Sequence, residues 1–323
     1  MLRILLLFTV IYTVLCSDGD RSPFYINCVK GCMKANCTND LTFTPEAAQQ
    51  QDIWSKILLW NCRDECRYHC MWRTVQGFLE RGYTIPKFHG KWPFKRILGV
   101  QEPASTLASL LNLAAHVYMF TEMKRQLPAA SRTPALLLWK VFAVVCMHAW
   151  IWSAIFHTRD NAFTEFMDYA CALSMVMSLF LAAILRVFHK RRKLTLVIVA
   201  ATVLYYVEHA RYLYSGSIDY DYNMYVNVFF GTAGSLVWAG WAARQVLASR
   251  GHHSWRVLAF TLLSGAALAL ELLELPPTRG WDAHALWHLA TAPLPLLFYR
   301  FVIEDLKDLQ SSLPTGKSDT KLS

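Results

Sequence analysis

An all-α chain, a seven-transmembrane helix bundle preceded by a small disulfide-rich lumenal domain, is the fold this sequence predicts. Three observations lead there. Of 323 residues, 54% are hydrophobic and only 17% charged, where a water-soluble domain carries about 25% charge. Seven apolar stretches come near the ~20 residues a helix needs to cross the hydrocarbon core. Six cysteines crowd into the short segment ahead of them. Such a composition excludes both a disordered chain and an ordinary cytosolic enzyme.

The first element is residues 1–16, read as a signal peptide. Arg3 precedes an apolar run from Ile4 to Leu15, the small residues Cys16 and Ser17 follow, and the charged stretch SDGDR comes next. That run is too short to span a bilayer, so cleavage near Cys16 or Ser17 is expected rather than an uncleaved anchor.

Residues 17–100 form the second element, a cysteine-rich domain on the lumenal side. Cys28, Cys32, Cys37, Cys62, Cys66 and Cys70 lie within it. Behind a signal peptide they fit three disulfides, with fifteen pairings open, and zinc binding by the same thiols is the alternative. A domain this small buries little core and gains from covalent ties. The sequon Asn36-Cys37-Thr38 marks Asn36 as a glycosylation candidate on the same side. The segment Lys87–Arg96 mixes basic and aromatic residues just ahead of the first apolar stretch. It reads as an interfacial anchor, or else as a surface for an anionic headgroup.

The third element, residues 101–305, holds the spans, near 104–120, 135–156, 167–187, 194–210, 223–242, 257–275 and 284–303. Their loops sort by charge. Lys124, Arg125, Arg132, Arg186, Lys190, Arg191, Arg192, Lys193, Arg244, Arg250 and Arg256 fall on one side, and Arg159, Arg211 and Arg279 on the other. By the positive-inside rule the N-terminus is lumenal and the C-terminus cytosolic, in agreement with the signal peptide. The net charge of +9 is thereby a membrane pattern, and no nucleic-acid motif accompanies it. Residues 306–323 are polar and read as a loose cytosolic tail.

Ionisable groups inside spans are costly and tend to mark function. Ser153 and His157 are four apart at the lumenal end of the second span, Asp168 starts the third, and His284 and His288 are four apart at the start of the seventh. Residues four apart share a helix face. The topology sets all five at one depth on one side. Three imidazoles from two helices can complete a three-ligand zinc site with an open position for water. Asp168 and Ser153 would then act on that water and on a substrate oxygen. His116 and His148 lie deeper and read as interhelical hydrogen-bonding groups. His209, Glu271 and Glu274 are the remaining candidates to join the site.

The constellation of Ser153, His157, Asp168, His284 and His288 resembles the CREST superfamily of seven-helix membrane hydrolases, which includes alkaline ceramidases and the progestin and adipoQ receptors. The stretches CRDECRYHCMW (Cys62 to Trp72), FHGKWPF (Phe88 to Phe94), QEPAS (Gln101 to Ser105) and FHTRD (Phe156 to Asp160) narrow the likeness to its GPI-lipid remodelling family. The resemblance implies a zinc-dependent phospholipase A2-type hydrolase of the Golgi membrane, with the endoplasmic reticulum as the other compartment. Its substrate would be the lipid of GPI-anchored proteins, from which it would remove the sn-2 fatty acid. The histidines would hold the zinc. A receptor or lipid-binding protein with structural zinc, and a ceramidase-like amidase, are the alternatives.

Overall fold

A computed structural model describes residues 17–127, 134–216, 218–249, 252–272, 276–278 and 280–311. The signal peptide, Arg132, Arg250, Arg279, Glu274 and the tail beyond Ser311 fall outside the described residues. The chain divides into two compact units, Met1–Gly99 and Val100–Ser323. Among the described residues both are helical, with three isolated β-bridges and no strand.

The first unit is built on α2 (Pro23–Asn36) and α5 (Cys62–Glu80), with α1 (Asp18–Arg21), α3 (Pro45–Gln50) and α4 (Ile53–Ile57) around them. Near-helical cysteine spacing lines one face of α2 and one face of α5. The faces join as nested rungs, Cys28–Cys70, Cys32–Cys66 and Cys37–Cys62, with Cα separations of 5.6 to 5.7 Å. All six thiols are thus consumed as disulfides, and the zinc alternative for them lapses. Asn61 starts α5 by accepting the Asp64 N–H at 2.9 Å, an N-cap that places Cys62 in the first turn. Asn36 ends α2, half-buried, with its amide 3.5 Å from the Cys32 sulfur.

The segment Lys87–Arg96 departs from the expectation of an anchor. Phe88 is core, packed against Tyr25 at a ring separation of 5.1 Å. Gly19 approaches so closely that a Cβ there would meet the Phe88 ring at 2.7 Å. Arg96 lies over the rings of Trp60 and Tyr68 and pairs with Glu65 at 2.6 Å. Burial pulls its guanidinium pKa down, partly offset by Glu65. The basic and aromatic residues of this stretch therefore face inward as well as out.

The second unit contains α6 (Pro103–Gln126), α7 (Pro134–Thr158), α8 (Ala162–Val187), α9 (Arg192–Tyr214), α10 (Tyr220–Leu247), α11 (Trp255–Leu272), α12 (Ala283–Thr291) and α13 (Leu294–Ser311). Among the described residues five segments are long and apolar enough to cross a membrane: α7, α8, α9, α11 and the continuous stretch Ala283–Ser311. The other two expected spans, α6 and α10, have the length, at 24 and 28 residues, but not the hydropathy. In α6 the cause is visible. Ser105, Ser109, Asn112 and His116 are buried on its inner face, so its polarity is turned into the bundle.

Helices α6, α7, α8, α10, α11 and the α12–α13 pair contact one another in sequence and close back on α6, while α9 packs on α8 from outside. One half of the bundle is an apolar core around Trp139, Trp238, Phe298 and Phe301. Two expectations shift here. The seventh span is broken after Thr291, because Pro293 has no N–H to continue the ladder. The tail expected from residue 306 is helical through Ser311, with Leu306 in the core. The acidic end of α13 anchors it. Arg186, expected in a loop, belongs to α8 and grips Asp305 with two 2.7 Å bonds, and Arg256 pairs with Glu304.

Candidate metal centre

Four helices of the second unit bring the site together. The last two turns of α7 carry Ser153 and His157, four residues apart and both buried. Asp282 caps α12 by accepting the Ala285 N–H at 2.8 Å. The cap starts the helix where it must for His284 and His288 to share a face. The three imidazoles meet: one ligand atom from each lies within 4.8 Å of the others. His284 Nε2 is 3.4 Å from His157 Nε2 and 2.8 Å from His288 Nε2.

Carboxylates fix two of the rings from behind. Glu102 Oε2 is 2.8 Å from His157 Nδ1, and Glu271 Oε2 is 2.7 Å from His284 Nδ1. A neutral imidazole that donates Nδ1–H to a carboxylate leaves a lone pair on Nε2, the arrangement common behind metal-ligating histidines. His157 and His284 can then point two lone pairs at one spot, where a cation would be held. Tetrahedral zinc with Zn–N bonds of 2.0–2.1 Å requires N···N separations of about 3.3 Å, close to the 3.4 Å between His157 and His284, whereas the 2.8 Å between His284 and His288 would have to widen. Three imidazole nitrogens are a donor set that zinc accepts. His288 Nδ1, buried, has no hydrogen-bond partner among the described residues. Its ring packs edge-on to Trp150 at 5.2 Å.

Helix α6 supplies the frame. Its N-cap residue, Glu102, donates its backbone N–H to the His157 carbonyl at 2.9 Å, and Gln101 donates to the Thr158 carbonyl at 3.0 Å. Nearly three turns further along α6, Asn112 Nδ2 donates to the His288 carbonyl at 2.7 Å. Ser109 donates to the Ser105 carbonyl and sits 3.1 Å from the Ser153 hydroxyl. Ser153 is thus held within a small polar pocket one turn from His157.

The sequence-predicted residues divide accordingly. His157, His284 and His288 converge, and Glu271 joins them through His284. Asp168 is buried on α8, but its carboxylate is not among the atoms mutually within 4.8 Å. His209 is elsewhere, 3.1 Å from Asn223 Oδ1 and surrounded by Tyr205, Tyr212 and Tyr222. His116 bonds Tyr299 at 3.1 Å, and His148 contacts Cys171 at 3.4 Å, both between neighbouring helices as expected. Glu102 is the residue that sequence reasoning passed over. It stands in the QEPAS stretch, 55 residues from His157, and no local signal marks it.

The chain is similar to known proteins along most of its length. The sequence profile of the Per1-like family matches residues 53–306. The chain is 42% identical over 306 residues to "Post-GPI attachment to proteins factor 3" of Drosophila melanogaster, covering 93% of this chain and 92% of the relative. It is 41% identical over 312 residues to "GPI-specific phospholipase A2-like PGAP3" of Danio rerio, covering 95% of each. The protein of the same name in Homo sapiens is 39% identical over 295 residues, covering 90% and 89%. No solved structure matches the chain.

Proposed function

The chain belongs to the Per1-like family, and on that premise we propose that it is a zinc-dependent acyl hydrolase of the phospholipase A2 type. It releases the sn-2 fatty acid from the lipid of GPI-anchored proteins, so that a saturated chain can be installed afterwards. The observation that carries the reading is the convergence of three buried imidazoles, two of them backed by carboxylates, in a unit with membrane-length helices. The names of the relatives supply the substrate class.

His157, His284 and His288 hold the zinc, which when bound supplies Lewis acidity toward an ester carbonyl and acidifies water toward a pKa of about 7. Glu102 and Glu271 keep the Nδ1 protons in place, so that the Nε2 lone pairs stay aimed at the centre. Ser153 offers its hydroxyl to the carbonyl oxygen as that oxygen gains charge. Asp168 takes a proton from the attacking water and returns it to the departing lysolipid oxygen. One acyl C–O bond breaks and one C–OH bond forms, giving a fatty acid and a lysolipid. The protein acts in the Golgi membrane with its N-terminus lumenal, after loss of residues 1–16 and with Asn36 as a glycan acceptor. A site near the lumenal headgroups suits an ester of a lumenal-leaflet lipid.

The test is mass spectrometry of the lipid on a GPI-anchored reporter. Cells lacking the protein are rescued with wild type, His284→Ala or Asp168→Ala. Wild type should restore a saturated sn-2 chain, and both variants should leave an unsaturated one at equal expression. Rescue by both variants would show His284 to be dispensable and sink the hydrolase in favour of a receptor or scaffold.

A further inference from the structure

The first unit carries a second feature, independent of the catalytic reading. Helix α4 is inverted relative to a water-facing helix. Its polar residue Ser55 is buried, donating to Glu65 Oε1 at 3.2 Å, and Glu65 in turn holds Arg96. Its apolar residues Ile53 and Ile57, four apart, face outward with Trp54 beside them. Leu59 follows directly. Gly99 packs against α4: a Cβ there would meet Trp54 and Leu58 at 3.0 Å, and the Trp60 indole donates to its carbonyl at 3.0 Å. Ile97 and Leu98, which immediately precede Gly99, thereby join the same face.

All six side chains are 40 to 72% exposed. Leu59 and Leu98 have positive φ, 57° and 51°, a backbone state unfavourable for leucine. Polar groups pinned inside, leucines turned outward at a backbone cost, and Lys56 and Lys95 beside them make a patch unlike a random apolar surface.

We infer that this patch, Ile53, Trp54, Ile57, Leu59, Ile97 and Leu98, dips into the bilayer at the level of the headgroup–acyl boundary. The occupant is argued from the chain itself. The patch ends at Leu98, and α6, whose outward face exposes Leu107, Leu110 and Leu111, begins at Pro103. Five residues of chain reach at most about 18 Å, so Leu98 is tethered close to the start of an expected span. A second copy of the protein is a poorer occupant, since six side chains are far fewer than the ~20–30 residues a side of a standard interface. An apolar cluster with flanking lysines is also what interfacial membrane segments present.

The experiment uses the full chain in phosphatidylcholine nanodiscs containing a phospholipid with a diazirine partway along its acyl chain. After illumination, lipid adducts are mapped by peptide mass spectrometry. Peptides bearing Ile53–Leu59 and Ile97–Leu98 should carry at least tenfold more adduct than the peptide bearing Leu79 and Tyr83. Those two control residues are equally exposed, at 52% and 62%, at the far end of α5. The double variant Ile57→Asp/Leu98→Asp changes exposed positions only. It should keep all three disulfides in a non-reducing map and lose the excess labelling. Equal labelling of patch and control overturns the inference. So does an unlabelled patch in a protein with intact disulfides, because protein would then be what covers it.

Discussion

Replacing Glu102 by alanine removes the carboxylate behind His157 and leaves the backbone frame alone, because the bond from the Glu102 N–H to the His157 carbonyl does not involve the side chain. What is lost is the 2.8 Å contact to His157 Nδ1, between side chains only 8% and 3% exposed. A buried donor left without an acceptor costs about 1–3 kcal/mol, and each ~1.4 kcal/mol is a factor of ten in affinity. Because that cost falls on the ring orientation the metal requires, zinc affinity should fall about 10- to 100-fold, the range seen for outer-shell partners of metal ligands. Glu102→Gln keeps an acceptor and loses only its charge, so its loss should be under about tenfold. The assay is competition for zinc between purified protein in detergent and a chromophoric chelator of matched affinity. If Glu102→Ala binds zinc within twofold of wild type while remaining folded, the orienting role is wrong. A drop equal for Ala and Gln would point to charge rather than ring orientation.

Other expectations follow from the same contacts. Ser153→Ala should lower acyl release at least tenfold while zinc affinity in the same competition stays unchanged, since Ser153 touches Ser109 and none of the imidazoles at hydrogen-bonding distance. Removing the Cys28–Cys70 rung as a Ser pair leaves the nested Cys32–Cys66 rung in place, so the loop it opens is only about ten residues, worth about 2.5 kcal/mol in the chain-entropy picture. Limited proteolysis should then cut the first unit at protease levels the wild type resists. Arg186→Ala leaves Asp305, 3% exposed, without its bidentate partner. The cost should be about 3–5 kcal/mol, read as a lower melting temperature in detergent, with acyl release per folded molecule preserved.

Much of this was legible because the signals were local. Cysteines at helical spacing on two segments invite a laddered pair, and His284 and His288 announce a shared face by their four-residue interval. Alternating loop charge organised the helices before any contact was known. What escaped was non-local. Glu102 finds its partner 55 residues away, so nothing in its neighbourhood distinguishes it from a helix-capping acid. Glu271 could be suspected but not assigned, since its bond to His284 crosses between helices. The stretch Lys87–Arg96 looked interfacial because composition cannot reveal that Phe88 packs on Tyr25, more than sixty residues upstream. The polar inner face of α6 lowered its hydropathy for the same reason that it matters: the face lines the site. The break at Pro293 was visible in the sequence, yet a window twenty residues wide averages over it.

The spacing of the imidazoles also fixes an order of events during synthesis. His157 and His284 are 127 residues apart, so the centre cannot exist until the final rod has been made. The three rungs of the first unit need nothing beyond Cys70. At about 5–20 residues per second, the interval from Cys70 to His288 lasts roughly 10–45 seconds. Throughout it the chain carries a first unit free to oxidise, and from residue 157 onward a lone His157 without its partner imidazoles. Premature termination between Cys70 and His284 therefore yields a protein whose first unit can oxidise but which never acquires its centre.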